Sequence, residues 1–343
     1  MGEITLIQKE KLLKSASGNK WERMGIKRRA GILTPLFSIY SKESIGIADF
    51  SDLRLLIDWA GLTGHSIVQL LPLNEMGGLF CPYDALSGFA LEPMYISLKP
   101  FLEENREVRE DIERIKINFY LKGEDFVDYR IKERKLVLLW RIFQKEKDRL
   151  KEDYFKFKRE NSYWLEDFSL FKVIKRKQRN LAWYEWEHDL RDRKTSAIKN
   201  FINKYYSEVE FENWLQFIAH EQLKEVKLYA NQKGILLKGD LPILVSRDSV
   251  DVWAKREFFK LEYASGAPPD MYCALGQRWG MSPYNWKEIG KDNFNYLKEK
   301  LKYAQNFYDI LRIDHVVGLF RIWTIPYEEP LENQGLNGFF DPQ

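Results

Sequence analysis

Four stretches of this 343-residue sequence gather the side chains that chemistry needs: CPYDALSGFA from Cys81, KGDLPILVSRDSVDVW from Lys238, GAPPDMYCALGQRWG from Gly266 and LRIDHVVG from Leu311. Each follows an apolar run that reads as a strand. The most informative is the last, where Asp314 sits between Arg312 and His315 in an otherwise apolar segment. Strand alternation puts Arg312 and Asp314 on one face, and a neighbouring guanidinium keeps an aspartate ionised, as a carboxylate nucleophile must be. A buried Arg–Asp ion pair is the competing structural reading of the same residues. Asp240 follows Gly239 at the end of the preceding strand and faces the same cavity. Carboxylates just past strands also cap helices, and Asp248 and Asp251 read as such caps. His65, His188 and His220 read as surface or satisfied core residues.

The elements that must position these groups are βα units. AGILTPLFSIYS, from Ala30, is an extended run; ADFSDLRLLIDWAGLTG has apolar residues at helical spacing and a closing glycine; SIVQLLPLNEMGG is a β-branched run ending in a glycine-rich loop. Together they form one βαβ unit and imply a parallel sheet. The pattern returns with the helix FENWLQFIAHEQLKEVKLYANQKG and the strand ILLKGDLPILVS, and again with DNFNYLKEKLKYAQNFYDILRIDH. Between them, residues 95–206 are rich in Lys, Glu, Arg and aromatics and nearly devoid of glycine and proline. They read as an inserted helical subdomain whose charge runs are solvated helix faces. The expected organisation is α/β: 1–94 opening a catalytic barrel, 95–206 inserted, and 207–343 continuing the barrel. Polar clusters at the C-terminal ends of parallel strands point to a TIM-type (β/α) barrel.

Such a barrel has eight strands, yet about four are legible, and the residues after Pro326 read as loop. The expectation is an incomplete barrel.

Composition excludes several function classes. The 54 Lys and Arg nearly cancel 51 Asp and Glu, leaving +3 with no basic stripe, so nucleic acid is not an implied partner. The N-terminus MGEITLIQKEKLLK carries charges too early for a secretory core, Leu6 stands where an acylation signal needs Ser or Thr, and no apolar run approaches a membrane span. Two cysteines, Cys81 and Cys273, form neither a disulfide framework nor a zinc pattern, which fits a reducing cytoplasm. Aromatic residues make up 15% of the chain with 11 Trp, enough for a large core and for rings that stack on sugar faces. Oligomeric state leaves no signature in the sequence.

Taken in order, RAGILTPLFSIYSKESIGIADF, SIVQLLPL, CPYDALSGFALEP, GILLKGDLPILVSRDSVDVW, GAPPD, GQRWG and LRIDH resemble the amylomaltases, or disproportionating 4-alpha-glucanotransferases, over residues 29–326. The resemblance implies a TIM-type barrel with inserted subdomains, transfer of α-1,4-glucan segments between maltooligosaccharides in starch and glycogen metabolism, and no metal or organic cofactor. By the same resemblance Asp314 is the nucleophile, Arg312 and His315 contact the donor sugar, and Tyr83, Asp240, Gln277 and Trp279 occupy glucan-contacting positions. A retaining mechanism pairs the nucleophile with a second carboxyl about 5 Å away that protonates the leaving oxygen. The family's motifs for that group have no counterpart before Gln343, and Glu328, Glu329 and Glu332 fall too soon after the fourth strand. Cys81 replaces a serine, GMSPY stands for GNPLY after Trp279, and Val317 replaces an arginine of many members. The expectation is therefore a glucanotransferase represented by its N-terminal portion. The alternatives are a glucan-binding remnant without catalysis and a half-enzyme completed by another chain.

Overall fold

Two short helices, α1 (Leu6–Leu13) and α2 (Gly18–Met24), lead into strand β1 (Gly31–Thr34) in the computed structural model, which describes residues 6–101, 106–119 and 127–342. Residues 1–5, and with them part of the leader and acylation readings, lie outside the described residues, as do residues 102–105 and 120–126 of the helical stretch. Helix α3 (Phe50–Leu62) begins at a capping box: Asp49 accepts from Ser51 N, and Asp52 accepts from Asp49 N. Its apolar stripe of Phe50, Leu53, Ile57 and Ala60 is buried. Removing side chains of the larger kinds from water stabilises by roughly 2 kcal/mol each. Strand β2 (Ile67–Leu70) then pairs in parallel with β1.

Helices fill most of the next stretch: α4 (Arg106–Phe119), α5 (Ile131–Glu146), α6 (Glu152–Lys177), the single turn α7 (His188–Arg191), α8 (Thr195–Lys204) and the long α9 (Tyr206–Gln232). Helices α6 and α9 pack along one another, burying Trp164, Phe168 and Phe171 on one side and Phe211, Trp214 and Leu215 on the other. These rings join the core that also covers the strands, so one apolar cluster runs from Leu36 to Ile322. The charge runs are not uniformly solvated as the sequence suggests. Lys135 is fully buried with its Nζ 2.6 Å from Met94 O, and the side chains of Lys132 and Lys172 are only 12% and 17% exposed. Lysine at a core-facing helical position escapes a charge-pattern reading because its partner lies far away in sequence.

Helix α9 delivers β3 (Leu236–Leu241), the short α10 (Val250–Ala254) follows, and the chain turns into a hairpin of β4 (Tyr263–Ala267) and β5 (Gln277–Arg278). Helices α11 (Trp286–Lys291) and α12 (Asn295–Ala304) lead to β6 (Ile310–Ile313), followed by β7 (Ile322–Pro326) and β8 (Phe339–Asp341). Four strands form a parallel sheet in the order β1-β2-β3-β6, each joined to the next through helix, so the fold is α/β. The remaining strands form an antiparallel sheet in the order β5-β4-β7-β8. This second sheet corrects the expectation that residues after Pro326 are loop, since Phe339–Asp341 pairs with β7. Its strands have two to five residues and sequences such as YASGA, too short and too small in side chain for alternation to register. Among the described residues no helix is long and apolar enough to cross a membrane.

Candidate active site

The ends of β3 and β6 bring the first two groups together. Parallel pairing sets Gly239 beside Leu311 and Asp240 beside Arg312, and the alternation along β6 keeps Arg312 and Asp314 on one face. Gly239 has a steric reason: a Cβ there would stand 2.4 Å from the Tyr308 ring, which is buried behind β3. The guanidinium of Arg312 bridges the carboxylates, with Nη1 donating to Asp240 Oδ2 at 2.5 Å and Nη2 donating to Asp314 Oδ1 at 2.5 Å. Burial works against the charge of Arg312, but Asp240 and Asp314 outweigh it and hold its pKa above the ordinary value.

Tyr83 arrives from the loop after β2, 157 residues before Asp240, and its hydroxyl donates to Asp240 Oδ2 at 2.8 Å. Arg312 Nη1 also donates to the Tyr83 oxygen at 3.5 Å. Burial first, and then the Asp240 charge, push the Tyr83 phenol up to about 12, so it remains a donor at neutral pH. Asp240 is 1% exposed, and its Oδ1 has no hydrogen-bond partner among the described residues. A buried carboxylate oxygen without a donor is costly, and here it stands beside the line of groups that the sequence singles out.

The other predicted residues form a second group against the first. Gln277 lies on β5 opposite Ala267, and Trp279 follows it, donating from Nε1 to Gln277 Oε1 at 2.9 Å. The edge of one ring meets the face of the other between Trp279 and His315, with centroids 4.8 Å apart and planes at 87°. His315 follows Asp314 in the left-handed region with φ 46°, an uncommon conformation for a non-glycine residue that recurs at functional sites. Burial pushes His315 below its usual pKa despite the charge of Asp314. All seven predicted residues thus fall into two groups joined at the Asp314–His315 peptide.

Asp248 and Asp251 do not cap α10 as the sequence suggests. Ser249 does, accepting from Val252 N at 3.3 Å. Asp248 instead accepts from Trp183 N and pairs with Lys175, while Asp251 accepts from Gly88 N at 2.9 Å and Tyr296 Oη at 2.8 Å. Both hold neighbouring segments in place, a role whose partners lie at least 45 residues away and leave no local signal. His65 bonds Thr63 and stacks on Trp59, and buried His220 bonds Tyr303, while His188 lies at the surface beside Asp189 and Asp192. These three histidines are satisfied away from the site.

A family model described as 4-alpha-glucanotransferase matches residues 34–339. Among curated relatives, the 4-alpha-glucanotransferase of Chlamydia pneumoniae is 39% identical over 315 residues, covering 90% of this chain and 59% of the relative. That of Aquifex aeolicus is 34% identical over 312 residues, covering 88% of this chain and 62% of the relative. The chain therefore spans about three-fifths of the length of these relatives. The solved amylomaltase from Streptococcus agalactiae in complex with acarbose is similar with a TM-score of 0.70 at 26% identity, over 92% of this chain and 64% of that one. The amylomaltase from Corynebacterium glutamicum shares the fold with a TM-score of 0.77 at 22% identity, over 95% of this chain and 45% of that one.

Proposed function

The chain belongs to the 4-alpha-glucanotransferase family, and we propose that it holds the nucleophile and donor-sugar contacts of an enzyme that moves α-1,4-glucan segments between maltooligosaccharides. The observation that carries this reading is the Asp240–Arg312–Asp314 line with Tyr83 at its mouth. Asp314 is the nucleophile. Arg312 holds its Oδ1, leaving Oδ2 to attack the anomeric carbon, and the side chain is 32% exposed, open to a ligand without being fully solvated. As the bond from Oδ2 to that carbon forms, the bond to the departing sugar oxygen breaks, giving a covalent glycosyl-enzyme; an acceptor 4-hydroxyl oxygen then bonds to the carbon as the bond to Oδ2 breaks, its proton passing to the carboxylate that had protonated the departing oxygen. The carboxyl that protonates the departing oxygen is assigned to none of residues 1–343 in this reading.

The remaining groups bind. Asp240 Oδ1, buried without a donor, accepts from a sugar hydroxyl; Tyr83 and Arg312 hold Asp240 for that contact; and Gln277, Trp279 and His315 line the glucan path with an amide and two rings. The relative solved with acarbose supports an oligosaccharide in this cleft. The parallel strands β1, β2, β3 and β6 with α3, α9 and α12 support reading residues 1–94 and 207–343 as the first four βα units of a TIM-type barrel. Residues 95–206 are then an insertion between its second and third strands. Free Cys81 and Cys273 support a reducing, cytoplasmic setting.

Incubating the protein that carries this chain with maltotriose is expected to yield glucose together with longer maltooligosaccharides. Absence of both products, with no measurable maltooligosaccharide binding, overturns the reading. Within it, Trp279→Ala weakens maltooligosaccharide affinity by roughly 1 kcal/mol, about fivefold in Kd, by removing a stacking surface while leaving the melting temperature unchanged. Calorimetric titration checks this, and unchanged affinity with a lowered melting temperature would make Trp279 a packing residue.

A further inference from the structure

Two carboxylates and two ammonium groups meet at the stems of the loop that carries Tyr83. The side chains of Glu75 and Glu92 are 1% and 0% exposed. Lys132 of α5 stands 3.2 Å from Glu75 Oε1 and 2.9 Å from Glu92 Oε2, and Lys172 of α6 pairs with the same Glu75 oxygen. The two glutamates also knit the stems to each other. Glu75 N donates to Ala90 O and Glu92 N to Leu73 O, both at 2.9 Å, while Met76 N donates to Glu92 Oε2 at 3.0 Å. Leu86 N, between Tyr83 and the second stem, donates to Glu75 O at 2.8 Å.

Buried ions are an expensive way to attach a helix, because apolar side chains of similar size do so without desolvating charge. Here the cost is sharpened by Glu75 Oε2, which is buried with no hydrogen-bond partner among the described residues. Burial opposes ionisation of Glu75, but Lys132 and Lys172 outweigh it and hold the carboxyl below its ordinary range. What such a cluster provides that packing does not is a fixed geometry, since each oxygen must meet its nitrogen. At the far end of the loop a single hydrogen bond, Tyr83 Oη to Asp240 Oδ2 at 2.8 Å, depends on that geometry, and a displacement of about 1 Å removes it.

We propose that Glu75, Glu92, Lys132 and Lys172 are positioning residues for the transfer site: helices α5 and α6 clamp the stems of the 71–92 loop and so set the Tyr83 hydroxyl on Asp240. This rests on reading Asp240 and Asp314 as the donor site. The helical stretch 131–177 thereby becomes a support for catalysis.

The test uses Lys172→Met, Tyr83→Phe and their combination, each in a Cys273→Ser background that leaves exposed Cys81, two residues from Tyr83, as the one cysteine within residues 1–343, its modification being read on its own peptide. Transfer from maltotriose is measured with the rate at which Ellman's reagent modifies Cys81. Lys172→Met is expected to lower kcat about tenfold, to cause no further loss on top of Tyr83→Phe, and to raise the Cys81 rate severalfold. Adding Glu75→Gln to Lys172→Met removes the unbalanced charge and returns both readouts toward the parent. If Lys172→Met does not fold, Glu75→Gln alone serves in the same comparisons, because the partly exposed ammonium of Lys172 turns to solvent. Losses that multiply in the double variant, or an unchanged Cys81 rate with only a lowered melting temperature, overturn the proposal. If the parent itself shows no transfer, the functional reading fails, and the Cys81 rates alone decide whether the quartet positions the loop.

Discussion

Asp314→Asn is expected to abolish glucan transfer, lowering kcat on the order of 10⁴-fold or more, while acarbose and maltooligosaccharide affinity stays within about threefold. The amide keeps the size of the carboxylate and an oxygen for Arg312 Nη2, so the cleft keeps its shape, but it cannot displace a sugar oxygen from the anomeric carbon. Maltotriose disproportionation followed by chromatography reads the first effect, and isothermal titration reads the second. Residual activity above about 1% of the parent would remove Asp314 from the nucleophile role. Lost binding together with lost activity would make it a structural ion-pair residue.

Arg312→Met produces the second large effect, and here stability and activity separate. The Asp240 side chain is 0% exposed, one of its oxygens has no hydrogen-bond partner among the described residues, and the other is shared by Arg312 and Tyr83. Among the described residues, removing Arg312 leaves a buried carboxylate with the Tyr83 hydroxyl as its remaining donor. Breaking a buried pair costs about 3 kcal/mol or more, and the 39% exposure of the Arg312 side chain lets water moderate the loss to about 2 kcal/mol. A thermal melt should show a drop of several degrees. Transfer should fall on the order of 10³-fold, because Asp314 loses the group that orients it. Adding Asp240→Asn removes the unpaired charge and restores most of the melting temperature without restoring transfer. Recovery of both together would mean that Arg312 acts only as a structural counter-ion.

The parallel sheet was legible because each of its strands is an apolar run next to an amphipathic helix, as with β2 after α3 or β3 after α9. Alternation along β6 likewise placed Arg312 and Asp314 on one face, which the structure bears out. The contact of Tyr83 with Asp240 is not readable from pattern, since the partners lie 157 residues apart, and the family resemblance offers the two only as separate glucan-contacting positions. The second sheet was missed because Gln277–Arg278 and Phe339–Asp341 are too short to show a period. Lys132 and Lys172 were hidden for another reason. A lysine on a charged helix looks solvated until its partner is known, and Glu75 lies 57 and 97 residues away.

Trapping the glycosyl-enzyme identifies the carboxylate that attacks the sugar. A maltosyl fluoride needs little protonation to leave, so Asp314 can attack it even where natural glucans react slowly. The protein is incubated with the fluoride, quenched in acid, digested, and its peptides are weighed by mass spectrometry. The added sugar mass is expected on the peptide containing Asp314, and it should be absent from the Asp314→Asn variant. Sugar mass on a peptide containing Asp240 or another carboxylate, or labelling that survives Asp314→Asn, would place the nucleophile elsewhere.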